Sequence, residues 1–134
     1  MTPAETLTAA AQRLRERAID AVHGGRTTWR RGNTLGTRTK VVLDDPDKPT
    51  VLIETYAERL ERVNAYLELV GPATGLALAD WLDDAAHRQR ATEQAAARTW
   101  ANSTDLAARD RWIAKMTDQK ALAVARQILG EVTE

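Results

Sequence analysis

At 134 residues the chain is long enough for one domain, 1–134, that buries roughly 65–70% of its extended surface around a single core. Hydrophobic residues at 43% and charged residues at 28% exclude a wholly disordered chain. The absence of Cys excludes disulfide scaffolds, thiolate nucleophiles and thiolate metal sites, and 19 basic against 19 acidic side chains exclude a general polyanion binder.

No stretch of about 18 apolar residues offers a membrane span, and the N-terminus lacks the basic start and apolar run of a signal peptide. The expectation is a cytoplasmic protein without membrane contact. Charge is unevenly spread: through Lys40 there are eight basic and three acidic side chains, a local +5, so the remainder carries −5. Arg outnumbers Lys by 15 to 4, a bias that GC-rich codons produce. With no Phe, four Trp and two Tyr, the core must rest on Leu, Val, Ile and Ala, and Ala favours helices.

Thr2-Pro3-Ala4-Glu5 combines an N-cap hydroxyl, a Pro at the first helical position and a Glu three residues after the cap. Leu7, Ala11, Leu14, Ala18 and Val22 then recur every three or four residues, predicting a helix over 3–22 that stops at Gly24-Gly25. From Arg26 to Thr55 the helical period disappears and β-branched residues accumulate. Two or three strands are expected: one holding Trp29, a second over Thr37 to Leu43 and a third over Thr50 to Thr55. Gly32-Asn33 and Gly36 would turn the chain between the first two, and Asp44 to Pro49 between the last two.

After Tyr56 the helical period returns, with Tyr56, Leu60, Val63, Leu67 and Val70 on one face and Gly71-Pro72 as the stop. Pro72 suits the first turn of the next helix, whose stripe is Leu78, Ala79, Leu82 and Ala86 with Trp81 beside it, so these two helices should form a hairpin. Residues 87–99 are polar and Ala-rich, compatible with a helix that projects or frays, and 87–105 read either as one helix or as a hinge. Asn102 to Asp105 form a cap cluster opening a helix with Leu106, Trp112, Ile113 and Met116 as its apolar side. A last helix after Thr117 carries Leu122, Ala125, Ile128 and Leu129 and closes at Gly130. The predicted fold is α+β and mainly α: an N-terminal helix, a small antiparallel β-hairpin or three-stranded meander, a helical hairpin and C-terminal helices.

The search for chemistry yields no catalytic, cofactor or metal assignment. Gly32 to Lys40 resembles a phosphate loop only in its glycines, lacking the Gly-Lys-Ser/Thr ending that sets an amine on phosphate and a hydroxyl on magnesium. Glu58 with Glu61 and Asp80 with Asp83 have the three-residue spacing of magnesium-binding helices, yet they lie far from the apolar stripes and should face water. His87, four residues after Asp83, adds one imidazole; His23 sits at a helix end, where a cation suits the dipole. The remaining signal is the basic segment Arg26, Arg30, Arg31, Arg38 and Lys40 with Trp29 among them, a candidate surface for phosphates, single strands or a protein partner. Solvated strand charges around a core Trp explain the same pattern.

Leu7 to Glu16, the Trp29 strand after a Gly-rich break, Asn64-Ala65-Tyr66-Leu67 leading to Gly71-Pro72, Ala77 to Leu82, and Ala121 to Leu129 together resemble a set of short, uncharacterised proteins of actinobacteria (Streptomyces-like) and their phages. The resemblance covers about half the chain; the relatives often carry Pro where this chain has Thr28. It implies the source and a single domain, and carries over no reaction and no catalytic residue. For a phage-encoded chain it implies action on a host process.

The expected function is therefore that of a non-enzymatic accessory protein that binds another protein or itself, a homodimer included, through an exposed face of the second and third helices or a strand edge. Nucleic-acid binding through the basic β-ribbon is the first alternative, and a metal-dependent nucleotide hydrolase the second.

Overall fold

The structure is a computed structural model that describes residues 1–22, 24–33, 40–43, 51–55 and 58–131; at positions 33, 40–42, 51–55 and 58–62 it describes the backbone alone. In chain order the described elements are α1 (Pro3–Asp20), β1 (Arg30–Asn33), β2 (Lys40–Leu43), β3 (Val51–Thr55), α2 (Glu58–Leu69), α3 (Pro72–Thr99), α4 (Leu106–Met116) and α5 (Gln119–Leu129). The architecture is mainly helical with a minor β segment, as the sequence predicts. The chain divides into two compact units, Met1–Leu14 with Leu78–Glu134, and Arg15–Ala77, the division falling within α1 and within α3.

In the first unit the N-terminal capping box forms as read: Thr2 N–H donates to Glu5 Oε2 at 2.8 Å and Glu5 N–H to Thr2 Oγ1 at 3.2 Å. These bonds favour the ionised carboxylate, so the Glu5 pKa lies below its ordinary value, the Thr2 backbone amide being the main cause. The core joins Leu7, Leu82 and Leu122 to Ala10, Ala11, Ala85, Ala86, Ala121 and Ala125, with Leu14, Trp81, Val124, Ile128 and Leu129 half-buried against it. Small alanines leave little bulk between helix backbones, and three leucines fill the centre.

Polar groups fix the helix ends and join α1 to α3 and α5. Thr6 Oγ1 donates to Thr2 C=O, Arg90 Nη2 to Thr8 Oγ1, and Arg13 Nη1 to Leu129 C=O at the C-terminal end of α5. Asp105 caps α4 by accepting from Ala108 N–H, and Asp118 caps α5 by accepting from Lys120 and Ala121 N–H. At the far end of α5, Gly130 adopts φ 73° and a Schellman arrangement closes the helix, with Glu131 N–H on Arg126 C=O and Gly130 N–H on Gln127 C=O.

Three expectations for this unit are corrected. Residues 87–99 do not fray: they continue α3 to Thr99, with Gln89 and Ala96 buried seven residues apart on one side of the helix. Leu78 is exposed, and Ala85 takes the core position beside Ala86. Leu106 and Met116 are exposed and α4 buries no residue; Trp112 and Ile113 alone of its predicted apolar side are half-buried, the Trp112 ring lying 5.8 Å from that of Trp100.

In the second unit β1, β2 and β3 form an antiparallel sheet in sequence order. Arg30 pairs with Leu43, Gly32 with Val41 and Asn33 with Lys40; between β2 and β3 the register slips by one residue between Val42 and Leu43. Gly32 and Asn33, expected to turn the chain, end β1 instead, and Trp29 stands one residue before that strand. Gly24 and Gly25 both take positive φ, the conformation that ends α1 at low steric cost. Thr37 to Thr39, Thr50, the turns at Gly36 and Asp44 to Pro49, Tyr56 and His23 lie outside the described residues.

Helix α2 packs across β1 and β2. Its predicted face is rotated: Val63 and Val70 are exposed, whereas Asn64 and Gly71 are buried, a turn of one residue or about 100°. The reason is local to the α2–α3 junction. The Trp29 backbone and ring lie so close to Gly71 that a Cβ there would stand 3.3 Å from Trp29 N and 3.4 Å from Trp29 Cγ. Ala73 N–H, in the first turn of α3, donates to Thr27 C=O at 2.9 Å. The segment before β1 therefore docks closely on Gly71, where any Cβ would crowd the Trp29 backbone, and the Asn64 side of α2 faces inward.

Candidate docking site

Of the six residues singled out in the basic segment, three converge. Trp29, Arg30 and Arg31 line an open cleft of about 540 Å³, together with Thr28 before them and Glu68 and Leu69 from the end of α2. Arg26 does not join them: it is half-buried, with its guanidinium within 4 Å of where a Gly24 side chain would begin. Lys40 sits in β2 opposite Asn33, described by its backbone, and Arg38 lies outside the described residues.

Edge geometry places the acid. β1 pairs only with β2 in the described sheet, and the outward backbone N–H of Arg31 donates to Glu68 Oε2 at 2.7 Å, with Arg31 Nε on the same oxygen at 3.4 Å. Glu68 thus closes part of an edge that would otherwise invite another strand. Its pKa is lowered, first by the Arg31 amide and further by the charges of Arg31 and Arg30, against an opposing desolvation. Arg31 is spoken for by this carboxylate; Arg30 is exposed and makes no ion pair among the described residues. With two arginines and one glutamate, the cleft carries one surplus positive charge. The indole Nε1 of half-buried Trp29 has no acceptor among the described residues, so Trp29 is less than a fully satisfied core side chain.

Beside the cleft, α2 presents an apolar surface. Tyr66 is 65% exposed and Leu69 69%, with Val63 and Val70 also exposed, while Asn64 on the opposite side of the helix is 0% exposed. At 100° per residue these four positions fall within a 120° arc. Leu69 belongs both to this stripe and to the cleft, making one continuous surface. Sequence reading missed Glu68, Leu69 and the outward stripe; the Arg31–Glu68 contact spans 37 residues and leaves no local signal.

The acidic side chains of the helices assemble no metal centre among the described residues. Among the described residues no group of three or more His, Asp or Glu converges. His87 is exposed and its Nδ1 donates to the Asp83 carbonyl at 2.7 Å, so that nitrogen is held within α3. The side chains of Glu58 and Glu61 are not among those described. No helix among the described residues is long and apolar enough to cross a membrane. Comparison with protein-family models, curated proteins and solved structures gives no match for this chain, so its reading rests on its own geometry.

Proposed function

We propose that this protein is a non-enzymatic binding module that docks another protein chain on the outward face of α2 and the adjoining cleft. The observation that carries the reading is the inverted amphipathicity of α2, which buries Asn64 and exposes Val63, Tyr66, Leu69 and Val70. A monomer gains nothing from leaving this stripe in water, and at about 25 cal/mol per Å² its burial would drive association. Tyr, Trp and Arg in one patch are also the residue types enriched where protein interfaces concentrate their energy.

A nucleic-acid surface is less well supported. Glu68 neutralises Arg31, leaving one surplus charge in the cleft, whereas phosphate binding draws its affinity from several cations acting together. The test is photo-crosslinking from a benzoylphenylalanine placed at position 66, in cells of the native host. A protein adduct that disappears in Leu69→Glu supports the reading; adducts to nucleic acid alone, or a protein adduct indifferent to Leu69→Glu, refute it.

A further inference from the structure

We infer that the first unit holds a second, small-molecule site for an apolar α-amino acid, in the cleft formed by α4, α5 and the start of α1, with the ligand carboxylate on Arg126 and its ammonium on Asp110. This site is independent of what docks on α2.

Helical spacing builds the cleft. Asp110 and Ile113 stand three residues apart on α4, and Leu122 and Arg126 four apart on α5, so each helix turns one charged and one apolar side chain into the same space of about 300 Å³, joined there by Pro3. Leu122 is buried and Ile113 half-buried, which makes the wall apolar. Of the remaining polar lining, the Thr117 hydroxyl is already donated to Ile113 C=O at 2.8 Å, leaving Asp110 and Arg126 as the charged groups.

Both charges have capacity left. Arg109 donates Nε at 3.1 Å and Nη2 at 3.0 Å to one Asp110 oxygen, Oδ1, so Oδ2 is open to a donor from a ligand. Arg126 is half-buried, and its guanidinium makes no hydrogen bond or ion pair among the described residues, Asp110 included. A guanidinium partly withdrawn from water without an acceptor has lost solvation and recovered nothing, and a carboxylate matches its planar fork. Because Arg109 offsets the Asp110 charge, the ligand carboxylate is the stronger anchor and the ammonium adds a hydrogen bond.

Size selects within the zwitterions. At about 30 Å³ for each water-sized group, the cleft holds roughly ten non-hydrogen atoms, enough for leucine and too few for a nucleotide or a peptide. A roughly equidimensional space of that volume is about 8 Å across; hydrogen bonds of about 2.8 Å on either side of the roughly 3 Å between an α-amine and its carboxylate span about 8–9 Å. The other cleft that Arg126 borders, with Ala123, Val124 and Gln127, contains no carboxylate to meet an ammonium.

The test is an amide NMR titration of the full chain with L-leucine, glycine, isocaproate and leucinamide, which remove in turn the apolar body, the amine and the carboxylate charge. Leucine is expected to bind saturably with Kd of about 0.1–1 mM, within the affinity that so few atoms can supply, shifting the amides around Ile113, Thr117 and Leu122. Each of the other three should bind at least about tenfold more weakly. Arg126→Gln should weaken leucine by about tenfold or more, and Asp110→Asn should erase the preference for leucine over isocaproate, the amide spectrum of each variant showing that it is folded. No saturable shift at about tenfold above that Kd range, shifts centred on other residues, isocaproate or leucinamide binding as tightly as leucine, or a preference untouched by Asp110→Asn would overturn the inference.

Discussion

Adding one methyl group at Gly71 tests the contact that orients α2. Its φ is not left-handed, so alanine meets no backbone strain there and would lower the entropy of the unfolded chain, a gain of about 0.4–1 kcal/mol. Against this, the new Cβ would stand 3.3 Å from Trp29 N, 3.4 Å from Cγ and 3.5 Å from Cβ. A backbone nitrogen cannot swing aside as a side-chain tip can, and this one is tied on both flanks: Thr27 C=O accepts from Ala73 N–H, and Arg31 N–H donates to Glu68. Overpacking of this kind costs about 1–3 kcal/mol. The net loss for Gly71→Ala is then about 0.5–2 kcal/mol, a fall in Tm of roughly 2–10 °C for a chain of this size. Circular dichroism melts of the two proteins read it directly, and near-ultraviolet dichroism reports the displaced indole. Gly32→Ala is the contrast, because its Cβ would meet Leu43 Cδ1 at 2.6 Å and Cγ at 3.4 Å, both atoms of a side chain that can rotate away. An unchanged or raised Tm in Gly71→Ala, or a larger loss in Gly32→Ala, would refute the argument that Trp29 fixes the rotation of α2.

Leu82→Ala in the first unit should cost about 3 kcal/mol, since Leu82 is fully buried among alanines that have no bulk to collapse into the cavity; the urea midpoint measures this, and a loss below about 1 kcal/mol would mean the helices close the gap. Glu68→Gln should lower stability at neutral pH and not in acid. The folded pKa of Glu68 lies below the ordinary 4.5, so its contribution is fully present above that value and is lost as pH falls through the folded value. Urea midpoints of wild type and Glu68→Gln should therefore differ at pH 7 and converge as the pH falls through the lowered folded pKa; a gap that persists in acid would show that Glu68 acts by packing.

What could be read along the chain was whatever is settled within one or two helical turns. The Thr2–Glu5 capping box, Asp105 at the start of α4, Gly130 at the end of α5 and the Gly71-Pro72 junction all depend on neighbours a few residues apart, and each is found at its predicted place. The same holds for the mainly helical class, with the described strands confined to the segment that ends at Thr55. Trp29, Arg30 and Arg31 were legible as residue types suited to binding.

The choice between helix faces was decided by contacts far apart in sequence. In α2 the run 63–70 offers apolar residues on more than one side, so periodicity favoured Val63 and Val70, and the Trp29–Gly71 approach with the Arg31–Glu68 bond turned Asn64 inward instead. Leu106 and Met116 in α4 and Leu78 in α3 have core chemistry, yet they are exposed. Hydrophobic spacing along a chain states which surfaces seek burial; which of them find it depends on how much surface the rest of the fold presents. The candidate site follows from that shortage: an apolar stripe left in solvent on α2, beside a cleft in which one carboxylate answers two arginines.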